Sequence, residues 1–299
     1  MSIYPLRKAV ILAGGLGKRL APITSAISKQ LLPIYDKPMI YYPLCTVMLC
    51  GIKDIMIIVT PENESLFKSL LGSGKDWGVE FSYKVQERPE GVAQSLLIAE
   101  DFIGENSVLL ALGDNLFHGN ELIDLLSSAN KRQIGSTIFA YPVKDPEKYG
   151  VVEFDEFGNA KHIEEKPESP KSQYVVPGLY FYDNSVIERV KKLTFSQRGE
   201  LEITSLNKGY LDDGMLNVEI MGRGMTWLDM GTFDSLHEAS AYIQTLESRQ
   251  GLKIGCPEEV AWRKRWIGDS QLVKLSQPLI QSGYGEYLLQ LLEKPRIDK

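Results

Sequence analysis

A glycine-rich loop directly after a short apolar run constrains this chain more than any other feature. Residues 9–12 are apolar and rich in strand-forming side chains, which predicts a buried strand, and the glycine-rich residues 14–17 follow almost immediately. Glycines let backbone N–H groups approach a phosphate closely, because no Cβ stands in the way. A tight turn without a ligand is the alternative. Arg19 and Lys29 follow the loop, and cations beside a glycine turn favour a phosphate-binding role.

Two familiar phosphate-binding loops do not fit this segment. The dinucleotide pattern Gly-x-Gly-x-x-Gly, started at Gly15, reaches Leu20 where a third glycine is required. The Walker pattern needs a glycine five positions before its Gly-Lys pair, and Leu12 occupies that position before Gly17-Lys18. The first mismatch argues against a dehydrogenase with a dinucleotide site.

The first half of the chain alternates between predicted strands and predicted helices. The predicted strands cover residues 9–12, 55–60, 108–112 and 136–141, with a partly exposed or edge strand at 79–84. The predicted helices cover residues 38–50, 62–70, 92–102 and 121–131. Such alternation indicates βαβ crossovers and a mostly parallel sheet.

The pattern changes after Gly150. Residues 151–154 and 175–182 are predicted strands joined by a charged loop at 162–173, which is typical of an inserted antiparallel element. Residues 232–249 predict a helix with one apolar face that includes Phe233 and Ile243. An aromatic, helical segment follows from residue 257 to residue 294. We therefore expect an α/β domain over residues 1–249 and a C-terminal helical appendage over 250–299.

Composition excludes several classes of protein. The chain has 299 residues, 43% of them hydrophobic, and a net charge of −6 without a run of Lys and Arg, so nucleic acid is not an expected partner. No apolar run reaches the roughly 20 residues of a membrane span, and the start lacks a signal-peptide pattern, which predicts a cytoplasmic protein. The cysteines at 45, 50 and 256 do not have metal-site or redox spacing.

The segment GGLGKRLAPITSAISKQLLP, from Gly14, resembles the signature of the nucleotidylyltransferases that activate sugar phosphates. Further motifs, in the same order, are similar to those of the glucose-1-phosphate thymidylyltransferases and extend over essentially the whole chain. They are QERPEGVAQSL from Gln86, LGDNLF from Leu112, KYGVVEF from Lys148, EEKP from Glu164, GLYFYD from Gly178, GELEIT from Gly199 and WLDMGT from Trp227. The resemblance implies a Rossmann-like mixed, mostly parallel sheet flanked by helices, with a small antiparallel insertion and a C-terminal helical appendage.

The same resemblance implies an activity and partners. Members of the family transfer dTMP from dTTP to glucose 1-phosphate, giving dTDP-glucose and pyrophosphate with Mg²⁺, as the first step toward sugars such as dTDP-rhamnose. They are commonly homotetramers, and relatives bind a feedback nucleotide at a second site between subunits. Such a site would lie in the C-terminal segment.

Two aspartates are the expected metal ligands. Asp114 follows an apolar strand, and ligands of open α/β sheets gather at the carboxyl ends of strands. From that position alone, capping of the next helix is an equal alternative. The resemblance implies that Asp114 and Asp229 together hold Mg²⁺, a pairing that their wide separation in the sequence does not predict. Two carboxylates suit an ion that keeps phosphate oxygens and water as its other ligands.

The resemblance also assigns roles to the other candidate residues. For chemistry it implies Arg19, Lys29, Lys166, Asp114 and Asp229. For the nucleotide it implies Leu12, Gly14, Gly15, Gly17, Gln30, Gln86 and Gly91. For the sugar it implies Asn115, Tyr149, Gly150, Glu165, Lys166 and Val176. On its own, EEKP would be a solvated charged loop, and a polar helix face explains Glu200 and Glu202 nearly as well.

Two rival functions share this fold. A UTP–glucose-1-phosphate uridylyltransferase differs in its base by one methyl group, which is worth only about 1–3 kcal/mol in a pocket. A non-catalytic regulator should have lost a cation or a metal ligand, whereas all five residues expected to carry the chemistry are present.

Overall fold

The structure is a computed structural model that describes residues 7–15 and 17–293. Its strands in chain order are β1 (Lys8–Ala13), β2 (Pro33–Ile34), β3 (Lys37–Pro38), β4 (Asp54–Val59), β5 (Glu80–Val85), β6 (Val108–Leu112), β7 (Asn115–His118), β8 (Ser136–Pro142), β9 (Gly150–Phe154), β10 (Ala160–Glu165), β11 (Tyr174–Val175), β12 (Leu179–Tyr182), β13 (Leu216–Ile220) and β14 (Thr226–Asp229). Its α-helices are α1 (Tyr41–Leu49), α2 (Glu64–Leu71), α3 (Gln94–Ile98), α4 (Glu100–Ile103), α5 (Leu122–Lys131), α6 (Val186–Lys191), α7 (Ile203–Asp212), α8 (Phe233–Gln250), α9 (Pro257–Arg263), α10 (Asp269–Ser276) and α11 (Tyr284–Glu293).

A ten-stranded mixed sheet forms the centre of the molecule. Its strand order is β10-β9-β11-β8-β12-β6-β1-β4-β5, and β13 pairs with β8 outside that path. The strands β6, β1, β4 and β5 are parallel to one another, whereas β12 runs antiparallel to both β6 and β8. The remaining strands form two small sheets, β14-β7 and β2-β3. This arrangement confirms the expected mixed, mostly parallel sheet with an antiparallel insertion, and β5 is the expected edge strand.

Helices cover both faces of the sheet, which explains why its central strands are mostly continuous apolar runs. Ile11 on β1 packs into a cluster with α1, α2 and α5, whereas Val10 packs into a second cluster with α3, α6 and α7. Side chains alternate between the two faces of a strand, so a strand buried on both faces reads as a continuous apolar run. The short apolar runs in the sequence were therefore sufficient to locate these strands.

The structure corrects four details of the predicted elements. The charged segment 162–173 is not all loop, because its first residues belong to β10, where Ile163 is buried opposite Val152 on β9. The single strand predicted at 175–182 is two strands, β11 and β12, separated at Pro177, which has no N–H to donate to a ladder. The helix predicted at 92–102 is divided into α3 and α4. Phe233 is 46% exposed, and Glu247 instead joins the buried face of α8.

The C-terminal helices pack against the same core as the sheet. Trp262 on α9 and Leu288 on α11 lie in the cluster that contains α1, and Trp77 Nε1 donates to Glu258 Oε1 at 3.2 Å. Lys37 is buried and lies 2.7 Å from Glu247 at the end of α8. These contacts confirm the expected C-terminal helices. The division of the chain at residue 249 remains a prediction, and Leu16 and the predicted helical Lys294 lie outside the described residues.

No helix within the described residues has the length and apolar character needed to cross a membrane. The three cysteines are free thiols, of which Cys45 and Cys256 are buried.

Candidate active site

Three expected site segments lie at one edge of the sheet. The glycine-rich loop follows β1, Gln86 follows β5, and Asp114 follows β6 after one intervening glycine. Because these strands are parallel, their carboxyl ends meet at the same edge, where open α/β sheets bind their ligands. The fold thus brings together segments that are far apart in the sequence.

The glycine-rich loop packs tightly against two glutamines. A Cβ on Gly14 would lie 2.3 Å from Gln86 Oε1, and the corresponding atom on Gly15 would lie 3.8 Å from Gln30 Nε2. Gly17 has a φ of 59°, a left-handed conformation that favours glycine. Leu12 connects the loop to the strand below, since its carbonyl accepts from the N–H of Gly113 at 2.9 Å. The loop is therefore a shaped backbone surface rather than an open turn.

Pairing of β7 with β14 brings the two aspartates together. Asp229, the last residue of β14, is opposite Asn115, the first residue of β7, and the N–H of Met230 donates to the Asp114 carbonyl at 3.0 Å. Both carboxyl groups are partly buried. Burial, together with the nearby charge of Asp114, raises the pKa of Asp229 above 3.8. Burial also acts on Asp114, but the adjacent Lys29 outweighs it and lowers the pKa of that carboxyl.

The opposite pKa shifts have a common cause, since Lys29 neutralises Asp114 more fully than it does Asp229. Asp114 is stabilised as a carboxylate by Lys29, whereas Asp229 is disfavoured as a second carboxylate beside it. A divalent cation would satisfy both groups. Within residues 7–15 and 17–293, no cluster of three or more His, Cys, Asp and Glu residues has the arrangement of a metal site. Two hard oxygen donors alone fit an ion such as Mg²⁺, which keeps water and phosphate oxygens as its remaining ligands.

Two cations border the aspartates. Lys29 is buried in a short 3₁₀ turn, and its Nζ lies 2.5 Å from Asp114 Oδ2. Arg19 is exposed, and its guanidinium lies over Gly231, where a Cβ would be only 2.9 Å from Nη2 and 3.5 Å from Asp229 Oδ2. The missing side chain of Gly231 therefore gives the guanidinium room beside the aspartate.

The expected sugar-side residues other than Asn115 lie on or beside β9, β10 and β11, the strands of the antiparallel insertion. Gly150 on β9 pairs with Glu165 at the end of β10, and the N–H of Val176 donates to the Gly150 carbonyl at 2.9 Å. The Glu165 carboxylate accepts from Thr204 Oγ1 and, at 3.2 Å, from Arg198 Nη2. Two donors on its two oxygens fix the orientation of this carboxylate, whose Oε2 would lie 3.3 Å from a Cβ on Gly150.

Lys166 has an unusual backbone conformation. Its φ is 46°, in the left-handed region that non-glycine residues seldom adopt, and its N–H donates to the Tyr149 carbonyl at 2.9 Å. Its side chain is 47% exposed, with Nζ 3.9 Å from Glu165 Oε1. Such conformations cost on the order of 1–3 kcal/mol and concentrate at functional sites. The solvated-loop alternative explains the exposure but not this backbone.

Tyr149 and Asn115 join the sugar side to the aspartates. Tyr149 Oη donates to Asp229 Oδ1 at 3.1 Å, and Asn115 Nδ2 donates to Asp114 Oδ1 at 2.8 Å. Asn115 Oδ1 in turn accepts from Trp227 Nε1 at 2.6 Å, which determines the orientation of its amide. Hydrogen bonds therefore join Tyr149 and Asn115, two of the expected sugar-side residues, to the two aspartates. Gly91 lies instead against the backbone of Leu201.

Sequence reasoning missed several residues that hold this surface in place. Arg198 contacts both Glu165 and Glu202, with Nη2 2.8 Å from Glu202 Oε1, so Glu202 belongs to a structural ion pair. Thr204 and Trp227 bind Glu165 and Asn115 as described above. Each stands within or beside a motif that the sequence pointed out, namely GELEIT and WLDMGT. Proximity to those motifs was the available signal.

We expect Gly91→Ala to lower the free energy of unfolding by about 2–4 kcal/mol. Gly91 has a φ of 108°, and a Cβ there would lie 2.5 Å from the Leu201 carbonyl oxygen and 2.6 Å from its nitrogen. The neighbouring backbone is bound on both sides, since Leu201 donates to the Glu90 carbonyl and accepts from Ala93. It therefore has little freedom to move away. Urea unfolding of the variant measures the loss.

Gly104→Ala is the matched control for this prediction. Gly104 has a φ of 55°, but its nearest neighbour would be 3.9 Å from an added Cβ. This variant carries the conformational cost without the clash, about 1–2 kcal/mol. Equal losses in the two variants would show that the contact of Gly91 with Leu201 is unimportant.

Comparisons with known proteins agree with this geometry. Residues 8–245 match the sequence profile of the family described as nucleotidyl transferase. The chain is 54% identical over 287 residues to the glucose-1-phosphate thymidylyltransferase of Neisseria meningitidis serogroup A, covering 96% of this chain and 100% of that protein. It is 55% identical over 287 residues to the glucose-1-phosphate thymidylyltransferase of Mycobacterium tuberculosis strain H37Rv, covering 96% and 99%.

A solved structure is similar as well. It is a provisionally named glucose-1-phosphate thymidylyltransferase from Bacillus anthracis in complex with sucrose, with a TM-score of 0.74 and 41% identity, covering 79% of this chain and 95% of that one. A UDP-glucose pyrophosphorylase complexed with UDP-glucose has a TM-score of 0.71 at 25% identity, covering 81% and 100%. The chain belongs to the nucleotidyl transferase family and, within it, to the glucose-1-phosphate thymidylyltransferases.

Proposed function

We propose that this chain transfers dTMP from dTTP to glucose 1-phosphate, giving dTDP-glucose and pyrophosphate. The observation that carries the proposal is the position of the Asp114–Asp229 pair. The pair lies between a glycine-rich loop bordered by cations and a surface of oriented polar groups on the antiparallel insertion. The similarity to thymidylyltransferases over 96% of the chain supports the same activity.

The nucleotide is assigned to the glycine-rich side of the site. The backbone of Gly14, Gly15 and Gly17 would border the triphosphate, with Leu12 and Gln30 on the nucleoside. Gln86 and Gly91 would contact the base. Arg19 and Lys29 would take up the charge that develops on pyrophosphate as it leaves. Positioning and charge stabilisation account for most of the catalysis in phosphoryl chemistry.

The sugar phosphate is assigned to the opposite side. Glu165, held by Arg198 and Thr204, would accept from a sugar hydroxyl, and the sugar would lie against the bare backbone of Gly150. Tyr149, Asn115 and Val176 border the same surface. Lys166 would hold the attacking phosphate. Its exposed ammonium group would supply the positive charge, and its constrained backbone would fix the direction of the side chain.

The reaction does not require a general base. A phosphate oxygen of glucose 1-phosphate attacks the α-phosphorus of dTTP, and the bond from that phosphorus to the β-phosphate bridge breaks, which releases pyrophosphate. The nucleophile is a phosphate monoester with a second pKa of about 6, so it is already mostly ionised at neutral pH. The histidines fit this account, since His118 is bound to Tyr242 and His162 lies near Glu164 on the outer side of β10.

Asp114 and Asp229 are the residues that would hold Mg²⁺. When bound, the ion would stabilise negative charge on the phosphate oxygens. Lys29 lies beside Asp114 and Tyr149 donates to Asp229, so the positions of both carboxyl groups are fixed by neighbouring side chains.

The assembly and location of the protein are further proposals. We propose a cytoplasmic homotetramer without nucleic-acid or membrane partners, in which residues 250–299 form an appendage for subunit or feedback contacts, with a dTDP-rhamnose-like product as effector. The buried free thiols suit a reducing compartment. Exposed apolar side chains such as Tyr35 and Phe233 suit contacts between copies.

Product identification tests the proposed function. The purified chain, mixed with dTTP, glucose 1-phosphate and Mg²⁺, should form dTDP-glucose, recognisable by its mass, and a chelator should stop its formation. A product formed only from UTP would assign the uridylyltransferase activity instead. Folded protein that forms no sugar nucleotide would favour the non-catalytic regulator.

A further inference from the structure

Gln86 is a buried amide whose two ends have different surroundings. It follows β5 directly and is 4% exposed. Its Oε1 faces Gly14, where a Cβ would lie 2.3 Å away, and its Nε2 donates to Gln94 Oε1 at 2.6 Å. An amide is a donor at one end and an acceptor at the other, so its orientation determines what it can recognise.

The neighbours of Gln94 leave that residue only one orientation. Glu90 is a carboxylate that can only accept, and Gln94 Nε2 donates to its Oε2 at 2.8 Å. The backbone N–H of Glu90 can only donate, and it donates to Gln94 Oε1 at 3.1 Å. Reversal of the Gln94 amide would place donor against donor and acceptor against acceptor. Gln94 must therefore present its oxygen to Gln86.

The orientation of Gln86 follows from that of Gln94. Because Gln94 Oε1 accepts, Gln86 must offer it Nε2. This orientation fixes which end of the Gln86 amide can accept a hydrogen bond from a base, its carbonyl oxygen, and which end can donate one, its second N–H. A pyrimidine with a keto group at C4, such as thymine or uracil, offers an N3–H donor and an O4 acceptor. Cytosine offers the reverse, an N3 acceptor and an amino donor, and requires the reversed amide.

We propose that Glu90 and Gln94 form a hydrogen-bond relay that fixes the orientation of the Gln86 amide and thereby selects a 4-keto pyrimidine triphosphate over a cytosine triphosphate. Gln94 acts through Gln86 and is a positioning residue. The proposal rests on the proposed function, in which Gln86 contacts the base. The relay separates 4-keto pyrimidines from cytosine. It does not affect the choice between dTTP and UTP, because thymine and uracil have the same N3–H and O4 groups.

The ratio of kcat/KM for dTTP to that for dCTP tests the relay. Gln94→Met keeps the length of the side chain but removes all its hydrogen bonds, so Gln86 becomes free to rotate. We expect this variant to lower the ratio about tenfold or more, in line with the worth of a paired base edge. A structural defect would lower both rates and leave the ratio unchanged, which would overturn the relay.

The double variant Glu90→Gln with Gln94→Glu exchanges the carboxylate and the amide between the two positions. The orientation of the Gln86 amide should stay the same. Glu at position 94 is an acceptor only, so it still requires Nε2 from Gln86, and Gln at position 90 can supply its donor. The dTTP:dCTP ratio should return to within a few-fold of that of the unmodified protein. A ratio as low as that of Gln94→Met would contradict the polarity argument.

Glu87→Gln is the matched control, because Glu87 is an exposed carboxylate in the same loop. It should leave the ratio unchanged, and a drop equal to that of Gln94→Met would overturn the relay. The unmodified protein separates this proposal from the proposed function. If it uses neither dTTP nor UTP with glucose 1-phosphate, the proposed function fails and the relay with it. If it uses one of them and Gln94→Met keeps the ratio, the relay alone fails.

Discussion

Replacement of Asp229 by Asn is expected to lower kcat on the order of 10²- to 10³-fold, with the fold intact. Asn has the same shape, and its oxygen can still accept from Tyr149 Oη, which lies 3.1 Å from Asp229 Oδ1. The change removes the negative charge that a metal ligand supplies. Pyrophosphate release over a range of Mg²⁺ concentrations measures both the rate and the metal requirement, which should shift to higher concentration.

Asp234→Asn is the control for this result. Asp234 is an exposed aspartate in the first turn of α8, close to Asp229 in the sequence but directed to solvent. Its variant should keep the rate and the Mg²⁺ requirement of the unmodified protein. An unchanged kcat in Asp229→Asn would show that Asp229 is not a metal ligand. The proposed metal site between Asp114 and Asp229 would then be wrong.

Lys166→Met is expected to lower kcat/KM for glucose 1-phosphate on the order of 10²-fold or more. Met is of similar length and lacks the charge, so the attacking phosphate loses its cation. The KM for dTTP should change little, because the glycine-rich loop with Arg19 and Lys29 lies on the other side of the aspartates. Kinetics with each substrate varied in turn separate the two effects.

Lys171→Met serves as the comparison, since Lys171 is an exposed lysine in the same charged segment. Its variant should behave like the unmodified protein with both substrates. Turnover of Lys166→Met within a few-fold of the parent would show that the sugar phosphate is held elsewhere, and Arg198 would then be the nearest cation to examine.

The sequence was sufficient for the parts of the fold that local pattern determines. The apolar runs of β1, β4 and β6 are buried on both faces, and the loops after β1 and β6 lie at the carboxyl edge of the sheet, as the strand pattern predicts. The N-cap of α8 is another local feature, in which Thr232 Oγ1 accepts from the N–H of Ser235 three residues later.

Features that depend on tertiary contacts could not be predicted from the local sequence pattern. Asp114 and Asp229 meet because β7 pairs with β14, and nothing in either segment specifies that pairing. The segment with Glu165 has mostly polar residues and was expected to be a loop, but the single buried Ile163 fixes it as a strand. The left-handed φ of Lys166 has no signature in the sequence. The orientation of the Gln94 amide depends on a hydrogen bond from the backbone N–H of Glu90, which the sequence pattern does not show either.

Metal-assisted nucleotidyl transfer to a sugar phosphate is the central activity assigned to this edge of the sheet. Pyrophosphate release with glucose 1-phosphate and Mg²⁺, measured in parallel for dTTP, UTP, GTP, ATP and CTP, tests it most directly. We predict the highest kcat/KM with dTTP and no release when glucose 1-phosphate is omitted. Folded protein that releases no pyrophosphate with any of the five nucleotides would contradict the account.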